Sequence, residues 1–199
     1  IAIPDGEARV QALLTGQIDM NRYVPFAQKK IFDGNSKFKT TVVPTGNWRG
    51  MVMRTDTAPF DNPKVRKAVR MAVDRQELVD LVMGGAATVS CDTPVAPSDQ
   101  YRLDMDCSQD INGAKKLLSE AGYPNGIEMT IHVSTKEPTW PTIAEVMQQQ
   151  LAKAGIKADI QMTPSKSYWN ETWMKKAVAM TRWNERPADS ILHEAYHSG

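Results

Sequence analysis

Long apolar runs, an excess of charge, low-complexity tracts and paired cysteine motifs are all missing from this sequence of 199 residues. No apolar stretch approaches the roughly 20 residues that a membrane-spanning helix needs. Charge is balanced, with 24 Lys+Arg against 23 Asp+Glu and a formal net charge of +1. That excludes the basic footprint of a nucleic-acid or membrane-surface binder. The only two cysteines, Cys91 and Cys107, lie in a stretch rich in Asp, Pro and Ser, and neither belongs to a C-x2-C metal spacing. They leave two alternatives open, a pair of free thiols or one disulfide closing a short loop. The opening IAIPDGEARV has neither an initiating Met nor a positive n-region, so the chain is expected to be an excised piece of a longer protein. G-x-S-x-G, P-loop and G-x-G-x-x-G motifs are absent too.

What is present is ordinary globular composition, 41% hydrophobic and 24% charged, at a length able to bury a core. The most ordered stretch runs from Ala58 to Gly84, APFDNPKVRKAVRMAVDRQELVDLVMG. Asp61 or Asn62 is placed to cap a helix with Pro63 in its first turn, and Val65, Ala68, Val69 and Ala72 recur at helical spacing. Asp74 then caps a second helix, Arg75 to Met83, stopped by Gly84-Gly85.

Around this pair the sequence alternates helical and extended patterns. Helices are expected over Glu7–Leu14, Phe26–Phe32, Ile111–Ala121, Pro141–Ala154 and Ser165–Lys176, with a last one capped by Asp189 or Ser190. Extended segments are expected at Ile18–Met20, Lys37–Pro44, Trp48–Thr55, Ile127–Val133, Ile156–Met162 and Val178–Trp183. Residues 86–110 form a long irregular connection, of a length that implies a function or something to cover. The pattern predicts an α/β layer structure, a single domain in which residues 127–162 are a β-α-β unit with parallel strands.

Two constellations carry chemistry. His193-Glu194-Ala195-Tyr196-His197 matches H-E-x-x-H, which on a helix sets two imidazoles on one face for zinc with the Glu as general base. A zinc-dependent hydrolase is therefore one reading. Against it, the chain leaves no room for a downstream third ligand, and a short surface helix gives the same string. The second constellation is aromatic. Trp48, Trp140, Trp169, Trp173 and Trp183 each fall near a strand end or a helix start, which in an open α/β sheet line the ligand crevice. Core filling is the alternative for any one of them. Trp183, followed by Asn184, Glu185 and Arg186, is the most suggestive, an aromatic plate with a guanidinium just past a strand.

Five ordered segments carry a family resemblance. APFDNPKVRKAVRMAVDRQELV resembles the signature of the family 5 extracellular solute-binding proteins of ABC importers, the dipeptide and oligopeptide binders and their relatives. ARVQALLTGQIDM, DINGAKKLLSEAGYPNG, IAEVMQQQLAKAGIKADI and RWNERPADSILHEAYHSG are similar to further segments of that family, in the same order. The resemblance implies a binder, not an enzyme, with no cofactor. The chain would be one lobe of a periplasmic-binding-protein-like clamshell, with a mixed sheet flanked by helices and the second lobe missing. It also implies a peptide or other small solute as ligand, and the membrane subunits of an importer as partners. The implied location is periplasmic or extracellular, with membrane tethering as a variant, and that favours a Cys91–Cys107 disulfide.

By position, the resemblance places Asn47, Trp48, Gly50, Trp140, Tyr168, Trp183 and Arg186 at the ligand cleft. Two positions depart from the family. Peptide binders carry an Asp three residues after the matching Trp, where this chain has Arg186, so capture of a free ammonium there is replaced by affinity for an acceptor-rich group. Arg54 stands where many relatives have Asn.

Overall fold

In the computed structural model, residues 2–43 and 45–197 are described. The family-like stretch folds as its sequence dictates. Helix α3, Pro63–Met71, starts where the Asn62 side chain accepts from the Lys64 N–H. Helix α4, Arg75–Met83, starts where Asp74 accepts from the Glu77 N–H and ends on Gly84 in the left-handed conformation. Val65, Ala68 and Val69 of α3 are fully buried and join Ala114 and Leu118 of α5, Ile111–Glu120, in the core. A buried Gln150 ties α4 to α6, Trp140–Lys153. Its side-chain carbonyl accepts from the Asp74 N–H at 3.0 Å, and its amide donates to the Asp74 carbonyl at 3.1 Å and to Glu77 at 2.6 Å.

Among the described residues four strands form one mixed sheet in the order β1-β4-β2-β3. They are β1, Trp48–Met53, β2, Ile127–Ser134, β3, Ile156–Thr163, and β4, Val178–Trp183. Strands β2 and β3 pair in parallel through α6, as the sequence predicts, and β4 is parallel to β2 but antiparallel to β1. The chain moves outward from β2 to β3, then returns across β2 to reach β4. Right-handed crossovers in opposite directions place their connections on opposite faces of the sheet. Burial along β2 agrees. Ile127, Met129, Ile131 and Val133 are buried on the apolar face, while on the other face Glu128 is exposed but His132 and Ser134 are covered.

Several expected elements differ. Residues 18–20 and 37–43 are not strands. Val42 and Val43 are 49% and 68% exposed, and β1 pairs only with β4, so the β-branched run at 37–43 has no ladder to join. Pro44 lies outside the described residues. The segment expected to be helical from Ser165 to Lys176 shortens to α7, Ser165–Ser167, and a π-helical turn, Tyr168–Thr172, because Met174 takes a left-handed φ of 60°. The last helix, α8, spans Ala188–Tyr196 and is preceded by Pro187, so Asp189 sits in the first turn rather than at the cap. There its charge still suits the helix dipole. Before β1, α1 covers Gly6–Leu14, and a 3-10 turn at Phe26–Gln28 leads into α2, Lys29–Phe32.

The long irregular connection covers the α3–α4 corner and is fastened to it. Cys91 and Cys107 form a disulfide. Asp92 accepts from Arg70 at 2.9 Å and from Arg75 at 2.9 and 2.5 Å. Arg75 also donates to the carbonyls of Val73, Cys107 and Arg70. Burial pushes the Asp92 carboxyl upward, yet the bonds from Arg75 and Arg70 prevail and hold it below its ordinary value. Replacing both cysteines by Ser is expected to lower the melting temperature by roughly 6–12 °C, from about 3 kcal/mol of loop-closure entropy in a domain of this size. Asp92 contributes stability above the unfolded carboxyl pKa of about 4 and loses it as the pH falls through the lower folded value. Wild type should therefore exceed Asp92→Asn in stability at neutral pH, and the gap should close below about pH 4. Urea melts across pH measure it.

Candidate functional site

Every tryptophan of the chain joins one cluster at the end of the sheet where the parallel strands finish. Trp48 opens β1 and Trp183 closes β4, and the antiparallel register makes them direct partners. Their rings lie on one face, nearly parallel at 15° with centroids 6.1 Å apart. Gly50, two residues along the same face, leaves room for this. A β-carbon there would come within 3.3 Å of the Trp48 ring. From Trp183 the contacts continue to Trp173 at 6.5 Å, Trp169 at 5.8 Å beyond it, and then Tyr168 and Trp140.

The seven residues expected at the site divide by depth. Asn47, Trp48, Gly50, Trp183 and Arg186 occupy the rim formed by the start of β1 and the end of β4. Trp140 and Tyr168 have no exposed surface at all and lie beneath it. Tyr168 is a pillar between strands. Its hydroxyl donates to the Met180 carbonyl at 2.5 Å and stands 3.2 Å from the His132 carbonyl. Burial drives its phenol pKa well up, against the pull of the Met180 bond, so it remains a neutral donor.

Backbone and side-chain bonds fix the rim. The Asn47 side-chain oxygen Oδ1 accepts from the Glu185 N–H at 2.7 Å, joining the turn before β1 to the chain after β4. Gly46, in that turn, lies so close to Glu185 and Ala96 that a β-carbon would meet the Glu185 side chain at 2.7 Å. The Arg186 guanidinium lies 5.8 Å over the Trp183 ring and is paired with Glu194 of α8. It is thus oriented by an aromatic plate on one side and a carboxylate on the other. Arg54, the second departure, follows the far end of β1 from Trp48 and is bonded to Asp56 and to the Met174 carbonyl.

The sequence matches the family model described as "Bacterial extracellular solute-binding proteins, family 5 Middle" over residues 1–198. The chain belongs to this family. The glutathione-binding protein GsiB of Pectobacterium atrosepticum is 33% identical over 159 residues, which are 79% of this chain and 31% of that protein. Among solved structures, the periplasmic binding protein DppA from Helicobacter pylori, in complex with the peptide STSA, superposes with a TM-score of 0.76 at 26% identity. It is matched over 96% of this chain and 37% of its own. AgaA of A. tumefaciens R10, in complex with agropinic acid, gives 0.79 at 26% identity, over 95% of this chain and 40% of its own. The chain thus spans about a third of the length of its relatives.

In this family-5 fold the H-E-x-x-H string reads differently. His193 lies in α8 and His197 just past its end in extended backbone, with ring centroids 4.8 Å apart, but Glu194 is engaged by Arg186. Among the described residues no group of three or more His, Cys, Asp or Glu is placed to hold a metal ion. The hydrolase reading has no support in this arrangement. Sequence reasoning noted Trp169 and Trp173 but did not join them to the site; their ring contacts make them the link between rim and pillar. Arg49 and Arg182, which flank the tryptophan pair, gave no signal until the strand register was known. Tyr168→Phe should cost about 1–2 kcal/mol in urea denaturation, because the Met180 carbonyl loses a buried donor, with the tryptophan fluorescence maximum unchanged.

Proposed function

We propose that residues 1–199 are one lobe of a two-lobed solute-binding protein, which captures a peptide or another small acceptor-rich solute for an ABC importer. The observation that carries this reading is the stacked Trp48–Trp183 pair with Arg186 held over it, at the carboxyl ends of the parallel strands of a family-5 chain. Ligands of open α/β sheets sit outside those strand ends. Flat aromatic rings supply contact area at low cost in side-chain freedom, and a few placed polar groups supply orientation. A guanidinium has five donors, so Arg186 can keep one edge on Glu194 and offer another to a ligand carboxylate or carbonyl. Relatives named for glutathione, a peptide and agropinic acid support this ligand class.

In this reading Asn47, Trp48, Gly50, Trp183 and Arg186 meet the ligand or shape its surface, and Trp140 and Tyr168 hold that surface from below. The rim is one wall only. The partner wall belongs to the second lobe, which the greater length of the relatives accommodates, and hinge closure brings the two together. The protein is then exported to the periplasm or held outside the membrane, where its closed form docks on the importer's membrane subunits. No cofactor enters, and the role is binding rather than catalysis.

Calorimetry on the full-length protein with short peptides and glutathione tests the reading. Trp183→Ala and Arg186→Ala should each weaken binding by about tenfold or more, the range of a central aromatic or Arg contact. Unchanged affinity in both variants would move the site elsewhere.

A further inference from the structure

Resting on the rim as a ligand-binding wall, we propose that Arg49 and Arg182 form a two-guanidinium fork that takes a carboxylate of the ligand. The two residues are direct partners in the β1–β4 register, one position in from the tryptophan pair on each strand, and so point to the opposite side of the ribbon. Like charges placed directly opposite on antiparallel strands destabilise the pair, so a scaffold built for stability alone would set opposite charges here. A single carboxylate answers the two cations. Glu137, in the turn between β2 and α6, accepts from Arg182 at 3.0 Å. Its side chain is only 17% exposed, while that of Arg182 is 48% exposed.

Arg49 is exposed and, among the described residues, donates no hydrogen bond. Desolvation, the largest influence, lowers its pKa, and the attraction of Glu137 outweighs the repulsion of Arg182. The guanidinium nevertheless stays charged in the physiological range. Arg186 differs, because Glu194 already answers it. The fork also stands in the right place, since Glu137 follows the carboxyl end of β2 and Arg182 precedes Trp183 at the carboxyl end of β4. A carboxylate bridging two guanidiniums accepts from both with its two oxygens and converts a repulsive pair into a satisfied one. In this arrangement Trp48 and Trp183 would bear the body of the ligand, and its acid end would reach over the strand ends to Arg49 and Arg182 on the other side of the ribbon.

The experiment uses the full-length protein with the arginine Nε–Hε signals followed by NMR as succinate is added. Arg49 and Arg182 should shift together and saturate. Arg49→Gln should weaken succinate binding at least tenfold while its melting temperature stays close to that of wild type, because Arg49 is exposed and donates no hydrogen bond among the described residues. Glu137→Gln, which removes the competing carboxylate, should tighten it. Shifts that do not saturate, or equal affinity in wild type and Arg49→Gln, would overturn the fork. Calorimetry with glutathione and its diethyl ester then places the fork in the ligand site. Wild type should prefer the acid at least tenfold and Arg49→Gln should lose the preference. Equal affinity of wild type for acid and ester overturns the role in the site. Saturable succinate binding without any glutathione binding upholds the fork and rejects glutathione as the ligand.

Discussion

The arrangement depends on the insertion of β4, the last strand of the chain, between β1 and β2. Trp48 pairs with Trp183 across more than half of the sequence, and no local preference brings them together. Each feature of the rim hangs on that ladder. It stacks the two tryptophans, sets Arg49 against Arg182, lets Asn47 hold Glu185, and puts the Met180 carbonyl within reach of the Tyr168 hydroxyl. Contacts of such separation close large loops and carry an entropic cost that must be offset by burial. The offset is visible in β4, where Val178, Ala179, Met180 and Thr181 are all buried. The site is therefore a product of the core: a substitution that loosens the centre of β4 would disturb the rim without touching it.

The aromatic cluster serves two purposes by depth. Trp140, the first residue of α6, and Tyr168, in the connection from β3 back to β4, are wholly buried and pack ring to ring, joining the two crossovers. Trp169 and Trp173 continue outward, and Trp48 with Trp183 reach the edge. A rigid floor under a flat display is what a binding surface needs, because ordering loose side chains on binding subtracts from affinity. Polar anchoring follows the same logic. Arg186 is held by a ring and a carboxylate, so its orientation is fixed before anything binds.

Much of the scaffold was legible in the sequence because its determinants are local. Asn62, Asp74, Asp110 and Gly84 lie within a few residues of the helix ends they define, and each does what its residue type predicts. The parallel β2–α6–β3 unit was legible for the same reason, since its strands are joined by a single helix. The strand expected at 37–43 was not, because β propensity needs a partner, and none of the described strands lies beside it. Depth was also illegible. Trp140 and Trp183 both stand near a strand or helix end, yet one is fully buried and the other is part of the edge, a difference that depends on tertiary packing. Arg49 was passed over entirely, since its meaning comes from Arg182, and that pairing exists only in the register.

The charges along the rim are hard to account for by the needs of the fold alone. Buried ion pairs seldom add stability in proportion to their Coulomb energy, because desolvation opposes it. A protein gains little by keeping cations at an apolar edge for the sake of its own fold. Arg186 and Arg182 are each held by one carboxylate and remain partly exposed, whereas Arg49, set against Arg182, donates no hydrogen bond among the described residues. The departure at Arg186 removes the acidic group expected for capture of a ligand ammonium, and Arg49 with Arg182 extends the same sign to the other side of the β1–β4 ribbon. On the proposed reading, a wall of paired indoles bounded on both sides by guanidiniums would select for a flat or apolar body with acceptor groups at its ends. The complementary donors and acceptors for the rest of such a ligand must then come from whatever faces this wall.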